Sequence, residues 1–205
     1  MNSSKPQIGV LAVQGDFAAH ERALERAGAA ACQVRRSAEF DHLDGLIIPG
    51  GESTTMLKFL IEENLFDPIK DFAASGRPVF GTCAGAILLA REVESPRQPS
   101  LDLLDITVER NAYGRQIDSF VAAAESRLGD EPLETVFIRA PKIKRVGPKV
   151  KVLAHLNGEP VLVRQANILA ATFHPELTAD SRVHRLVVDL ACRQLEQFEY
   201  EVVPV

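Results

Sequence analysis

Val79-Phe80-Gly81-Thr82-Cys83-Ala84-Gly85 runs from an apolar segment, through Gly-x-Cys-x-Gly, into Ala86-Ile87-Leu88-Leu89-Ala90. The first part reads as a buried strand and the last as a helix. Strand, tight turn and helix with a nucleophile at the turn form a nucleophile elbow. Such a turn forces its central residue into an unfavourable backbone conformation, and side chains in place of the two glycines would collide with strand and helix. A helix starting here aims its free N–H groups and the positive end of its dipole at the sulfur, which favours negative charge there. A second reading stays open on this stretch alone. Free cysteines are usually small buried core residues, and the flanking glycines bring the two readings about level.

Outward from the elbow the chain alternates strand and helix. Ile8-Gly9-Val10-Leu11-Ala12-Val13 and Gly45-Leu46-Ile47-Ile48 are continuous apolar runs, as buried parallel strands should be. Ala30 to Val34 is a weaker strand between them. Phe17 to Ala27 reads as a helix closed by Gly28. Thr54 to Glu63 reads as another, with Ser53 as its cap, and Asp67 to Ser75 as a third. The expected fold is α/β, a three-layer α/β/α sandwich of the flavodoxin-like kind with a mostly parallel central sheet. Pro49-Gly50-Gly51-Glu52-Ser53 lies where strand 45–48 ends, the rim at which open α/β sheets bind ligands. It lacks the Gly-Lys-Ser/Thr ending of a phosphate loop.

Beyond a polar loop at 94–100 the pattern changes. Residues 106–110, 117–122 and 133–139 read as short strands without intervening helices, which predicts a small antiparallel extension of the main sheet. Asn157-Gly158 between two alternating apolar runs is a hairpin signal. Ile168 to Phe173 is a further buried strand, and Ser181 to Phe198 an amphipathic helix with Val183, Leu186, Val187, Leu190 and Ala191 on one stripe. No repeat or linker divides the chain, so residues 1–205 read as one domain.

The composition excludes several classes. With 205 residues, 46% of them hydrophobic, and a net charge of −5, the chain can bury a core and has no basic surface for nucleic acid. No apolar run is long enough to span a bilayer and no apolar signal core precedes the first strand, so a cytoplasmic, non-membrane protein is expected. Cys32, Cys83 and Cys192 are widely spaced and odd in number, which argues against a disulfide framework or a metal site.

His174-Pro175-Glu176 ends the strand at 168–173. On an extended chain positions i and i+2 project to the same side, which would set a carboxylate beside an imidazole. A carboxylate there can hold the ring N–H, select the tautomer and stabilise the charged form. With Cys83 this supplies nucleophile, base and orienting group on one sheet rim. His20, His42, His155 and His184 have no such setting; His42 and His184 read as surface residues. Cys32 and Cys192 read as inert.

These residues carry a resemblance. Gly81-Thr82-Cys83-Ala84-Gly85 with His174-Pro175-Glu176 resembles the class I (triad) glutamine amidotransferase family. Ala12-Val13-Gln14-Gly15, residues 49–55, Val108-Glu109-Arg110-Asn111, Gly114-Arg115-Gln116, Phe137-Ile138-Arg139-Ala140-Pro141 and residues 172–178 resemble, within it, the glutaminase subunits of pyridoxal 5′-phosphate synthase. The resemblance runs from about residue 8 to about residue 197. It implies that Cys83 attacks the side-chain amide of L-glutamine, that His174 protonates the departing ammonia and that Glu176 orients His174. It implies Gly51 and Ala84 as oxyanion donors, and Gly50, Gly51, Glu52, Arg110, Ile138 and Arg139 against the glutamine. An arginine suits the substrate's α-carboxylate. No cofactor or metal is implied. The implied partner is a separate (β/α)8-barrel synthase subunit in a hetero-oligomeric complex, since the chain has no room for that domain. In one place the chain departs from the family: Ala19 stands where an acid usually precedes His20.

Four other readings compete. Another ammonia-using synthase could own the glutaminase, although residues 49–53 and 137–141 argue against it. A cysteine α/β-hydrolase would carry its acid well before the histidine, and a DJ-1-like protein would have histidine where Ala84 stands. A non-catalytic binding module on the same fold is disfavoured by the complete triad.

Overall fold

A computed structural model describes residues 5–110 and 119–201, side chains beyond residue 193 excepted. Five parallel strands form half of a nine-stranded sheet, in the order β2 (Ala30–Val34), β1 (Gln7–Leu11), β3 (Gly45–Ile48), β4 (Val79–Thr82) and β12 (Ile168–Ala171). This is the flavodoxin-like order, reversing direction between β1 and β3. The other half is antiparallel: β11 (Glu159–Gln165), β10 (Lys151–Leu156), β7 (Ser119–Ser126) and β8 (Leu133–Ile138). The parallel core and antiparallel extension are those expected.

Helices cover both faces of the parallel half, and strand alternation sorts the core between them. Leu46, Ile48, Val79 and Ile168 pack with α2 (Ser53–Glu62), α3 (Phe66–Ala74) and α4 (Ala84–Leu89). Ile8, Val10, Ile47, Phe80 and Leu169 pack on the opposite face with α1 (Phe17–Ala27) and α5 (Arg182–Glu201). Val183, Val187 and Ala191 of the expected α5 stripe are fully enclosed.

Local signals explain several boundaries. Gly28 closes α1 in the left-handed conformation, φ 99°. Asn157 (φ 51°) and Gly158 (φ 79°) both take positive φ between β10 and β11, as a two-residue hairpin turn of the primed type requires. Ser53 is not the cap of α2. It is the first helical residue, and Glu52 caps the helix by accepting from the N–H groups of Thr54 and Thr55. The longer carboxylate reaches two free donors where a serine would reach one.

The region after the elbow differs more. Ala90 leaves α4 and begins β5 (Ala90–Glu94). β5 pairs in parallel with β6 (Leu104–Glu109), which pairs antiparallel with β9 (Lys142–Val146), so the strand expected at 106–110 belongs to a separate three-stranded sheet. Its apolar face, including Val93, Ile106, Val108 and Ile143, joins the core beneath α2–α4. Of the strand expected at 117–122, residues 117 and 118 lie outside the described residues, as do Asn111 and Gly114-Arg115-Gln116; the remainder opens β7. Among the described residues, no helix is long and apolar enough to cross a membrane.

Candidate active site

The ends of β3, β4 and β12 lie side by side. Gly81 registers with Ile48 on one neighbour and with Ala170 on the other, and Thr82 with Ala171. One rim therefore presents Gly50-Gly51, Cys83 and His174 together.

Cys83 sits between β4 and α4 with φ 49° and ψ −101°. That conformation is strained for a residue with a side chain. The glycines around it are needed sterically: a Cβ on Gly81 would fall 2.5 Å from the carbonyl carbon of Gly85, and one on Gly85 would collide with the Ile48 carbonyl. The helix thus rests directly on the strands, and the sulfur is held at the rim. Cys83 is 7% exposed and its Sγ lies 3.9 Å from the carbonyl oxygen of Ile138.

His174 and Glu176 come together by a route other than extended geometry. Pro175–Leu177 is a 3₁₀ turn with His174 at its N-terminal boundary, and the turn folds the carboxylate back onto the ring. Nδ1 of His174 lies 2.7 Å from Oε1 of Glu176. The backbone N–H of His174 donates to the Val136 carbonyl at 2.8 Å, which draws the end of β8 to the rim. Burial disfavours charge on His174, but hydrogen bonds with Cys83 and Glu176 outweigh it and push the imidazole up to about 10. Burial likewise opposes ionisation of Glu176, yet His20 and the His174 hydrogen bond hold its carboxyl below the usual range.

Two recesses meet at Cys83. One, of about 160 Å³, is lined by Gly51, Glu52, Ser53, Ile87, Arg110, Ile138 and Arg139 beside the cysteine. The other, of about 270 Å³, lies on the side of His174 and Glu176 and is bounded by Gly15, Asp16, Gly50 and Leu177, sharing Gly51, Ile138 and Arg139 with the first. Of the six residues expected against an amino-acid substrate, five therefore share one recess, and Gly50 packs against His174 and Cys83 in the other. Arg110, delivered by the end of β6, donates from Nη2 to Thr54 Oγ1 at 3.0 Å and stands 3.6 Å from Glu52. Arg139 follows β8 with φ 45°, a second strained residue at the rim. Ala84 is the first residue of α4, next to the sulfur. Ser53, Ile87, Asp16 and Leu177 line the recesses without having been expected at the site from sequence.

Two histidines depart from their reading. His184 is not a surface residue: it is fully buried on α5, and His20 is fully buried on α1, where it approaches Glu176 Oε2 at 3.4 Å. Each lies on its helix's inward stripe, His20 with Ala23, Leu24 and Ala27, His184 with Val187, Val188 and Ala191. A histidine at the i position of an i, i+3, i+4, i+7 apolar pattern was the available signal. Ala19 beside it is 3% exposed, a place where an acid would need a partner and alanine needs none.

A cysteine on an elbow, with a hydrogen-bonded His–Glu pair on the adjacent parallel strand of a flavodoxin-like sheet, is the arrangement of the class I glutamine amidotransferases. A solved structure of a glutamine amidotransferase superposes with a TM-score of 0.85 at 49% identity, covering 90% of this chain and 98% of that one. PurLQS from Thermotoga maritima shares the fold alone, with a TM-score of 0.67 at 16% identity over 95% of this chain and 99% of that one. The chain belongs to the SNO glutamine amidotransferase family, whose pattern it matches over residues 10–193. Among similar proteins, the pyridoxal 5′-phosphate synthase subunit PdxT of Solibacter usitatus (strain Ellin6076) is 55% identical over 88% of this chain and 96% of its own length. The subunit of the same name from Koribacter versatilis (strain Ellin345) is 53% identical over 90% and 95%.

Proposed function

We propose that this chain is the glutaminase subunit of a pyridoxal 5′-phosphate synthase, acting as one cytoplasmic domain. The observation that carries the reading is the 2.7 Å His174–Glu176 contact beside an elbow cysteine that opens onto a recess holding two arginines. The names and the high identity of the relatives supply the pathway.

The recess and the His174–Glu176 pair support a thioester route. L-Glutamine lies in the smaller recess, its α-carboxylate toward Arg110 and Arg139 and its side chain against Gly51, Glu52 and Ile138, reaching toward Gly50 where the two recesses meet at Cys83. The Cys83 sulfur adds to the side-chain amide carbon, and backbone N–H groups of Gly51 and Ala84 stabilise the oxyanion. His174, charged and held by Glu176, gives its proton to the leaving nitrogen. The C–N bond breaks, ammonia departs and a glutamyl thioester remains. Water, deprotonated by the now neutral His174, adds to the thioester; the C–S bond breaks, releasing glutamate and the thiolate. The ammonia passes to a separate synthase subunit, a (β/α)8 barrel in a hetero-oligomeric complex.

The test is glutamate release from L-glutamine with and without a purified synthase subunit, with Cys83→Ala as the blank. Release that requires both Cys83 and the partner is the expected result. Cys83-dependent release indifferent to the partner would overturn the pathway, and no release in either case would overturn the glutaminase reading.

A further inference from the structure

Behind the triad, between the sheet and helices α1 and α5, lies a closed polar group. His20, His184 and Thr82 are all 0% exposed. His20 Nδ1 is 3.0 Å from His184 Nε2, and His20 Nε2 is 3.2 Å from Thr82 Oγ1. The same Nε2 is 3.4 Å from Oε2 of Glu176, the oxygen not engaged by His174. Among the described residues, Glu176 Oε2 and His184 Nδ1 are buried without a hydrogen-bond partner.

The proton positions follow from what each atom can accept or donate. An ionised carboxylate only accepts, so the His20 nitrogen facing it must carry the hydrogen. A neutral ring with Nε2–H is an acceptor at Nδ1, so His184 must donate from Nε2. That leaves His184 Nδ1 as a bare lone pair, and it is the ring atom without a partner. The opposite assignment would set a lone pair against the carboxylate and strand an N–H in the core, the costlier orphan. Burial disfavours charge on both rings: it lowers His20 against the pull of Glu176 and Asp16 and with the push of His174, and it brings His184, faced by His20, Glu176 and Arg26, down to about 3.

We propose that His20, fixed in its Nε2–H tautomer by His184, is a positioning residue of the glutaminase: its Nε2–H, bonded to Thr82, faces the second oxygen of Glu176 at 3.4 Å and steadies it by charge–dipole attraction, so that the first stays aligned on His174. A carboxylate held only by a hydrogen bond at one oxygen can swing; with an N–H dipole facing the other, it keeps the imidazole's orientation as His174 loses and regains its proton. Because that N–H bonds Thr82, which precedes Cys83, the elbow is tied to the same anchor. The proposal rests on the triad reading above.

The test compares His20→Gln with His20→Asn in the full chain with its synthase partner. The glutamine amide reaches the place of Nε2, the asparagine amide that of Nδ1, and the two carry similar burial costs. His20→Gln should stay within about threefold of wild-type kcat. His20→Asn should lose about tenfold in kcat at unchanged KM, the scale of one charge–dipole contact in a buried site. Its acid limb should move to higher pH, because a carboxylate without a facing N–H is more easily protonated. Equal kcat and equal acid limbs in the two variants would overturn the proposal. A wild-type chain without Cys83-dependent hydrolysis would fail the triad reading instead, visibly in the same assay. If neither variant folds, the ring ¹⁵N shifts of the wild type decide: Nε2–H at His20 is required, and Nδ1–H or a doubly protonated ring at neutral pH overturns it.

Discussion

The backbone N–H of Cys83 donates to the carbonyl of Ala171 at 2.8 Å. The peptide of Cys83 is thereby bonded to the strand that leads into His174 three residues later. The distance between sulfur and imidazole is set by sheet register, not by loop conformation, and a site built on strands is held more tightly than one built on loops.

Gly85→Ala tests that framework. Its Cβ would strike the Ile48 carbonyl, so α4 must lift from β3 or the strand must shift. The expected cost is about 2–3 kcal/mol in urea unfolding, with a fall in glutamine hydrolysis because Cys83 moves with the helix. Wild-type stability and activity together would show that the elbow tolerates a wider spacing.

Glu52→Ala should cost about 1 kcal/mol at neutral pH through loss of the α2 cap. The dependence on pH has a fixed sign. Burial opposes ionisation of Glu52, but the N–H groups of Thr54 and Thr55 and the Thr55 hydroxyl bring its carboxyl down from 4.5 to about 2. A carboxyl with a depressed folded value contributes stability above the unfolded value and loses it as pH falls through the folded one. The gap between wild type and variant should therefore be full above pH ~4.5 and narrow toward pH ~2. Paired denaturation curves at pH 7 and pH 3 check this; a gap of constant size would assign the loss to packing.

Arg110→Met separates binding from architecture. If the guanidinium holds the substrate carboxylate, KM for glutamine should rise about 10–100-fold, the worth of a charge-assisted hydrogen bond. kcat should change far less, because this end of the substrate is unaltered in the reaction. An unchanged KM with lowered stability would make Arg110 only a brace between Thr54 and Glu52.

Much of this could be read from the chain because its cause is local. The need for glycine at position 81 follows from its contact with Gly85 inside the elbow itself, although Gly85 also answers to the Ile48 carbonyl of β3, and the Asn157-Gly158 turn follows from backbone preference. The His174–Glu176 pair was legible for a different reason than the one that forms it: proline at the start of a 3₁₀ turn, not extended alternation, brings the carboxylate home. What escaped is non-local. Nothing in Ile106-Thr107-Val108 says that it pairs with β5 and β9 in a separate sheet, because an alternating strand is compatible with any partner that covers its apolar face. His20 and His184 gain their meaning only when α1 and α5 meet, 164 residues apart in sequence.

β12 has a consequence for the order of assembly. It is the last of the described strands, yet it lies between β4 and β11, where it joins the parallel half of the sheet to the antiparallel half. Until it inserts, β4 has an open edge, the two halves share no strand, and Cys83 lies apart from His174. A chain still emerging during synthesis thus carries its elbow cysteine long before the His174–Glu176 pair can reach it. The same late, long-range pairing that closes the sheet and is slow to form also assembles the site, so an incompletely folded molecule holds that site in pieces.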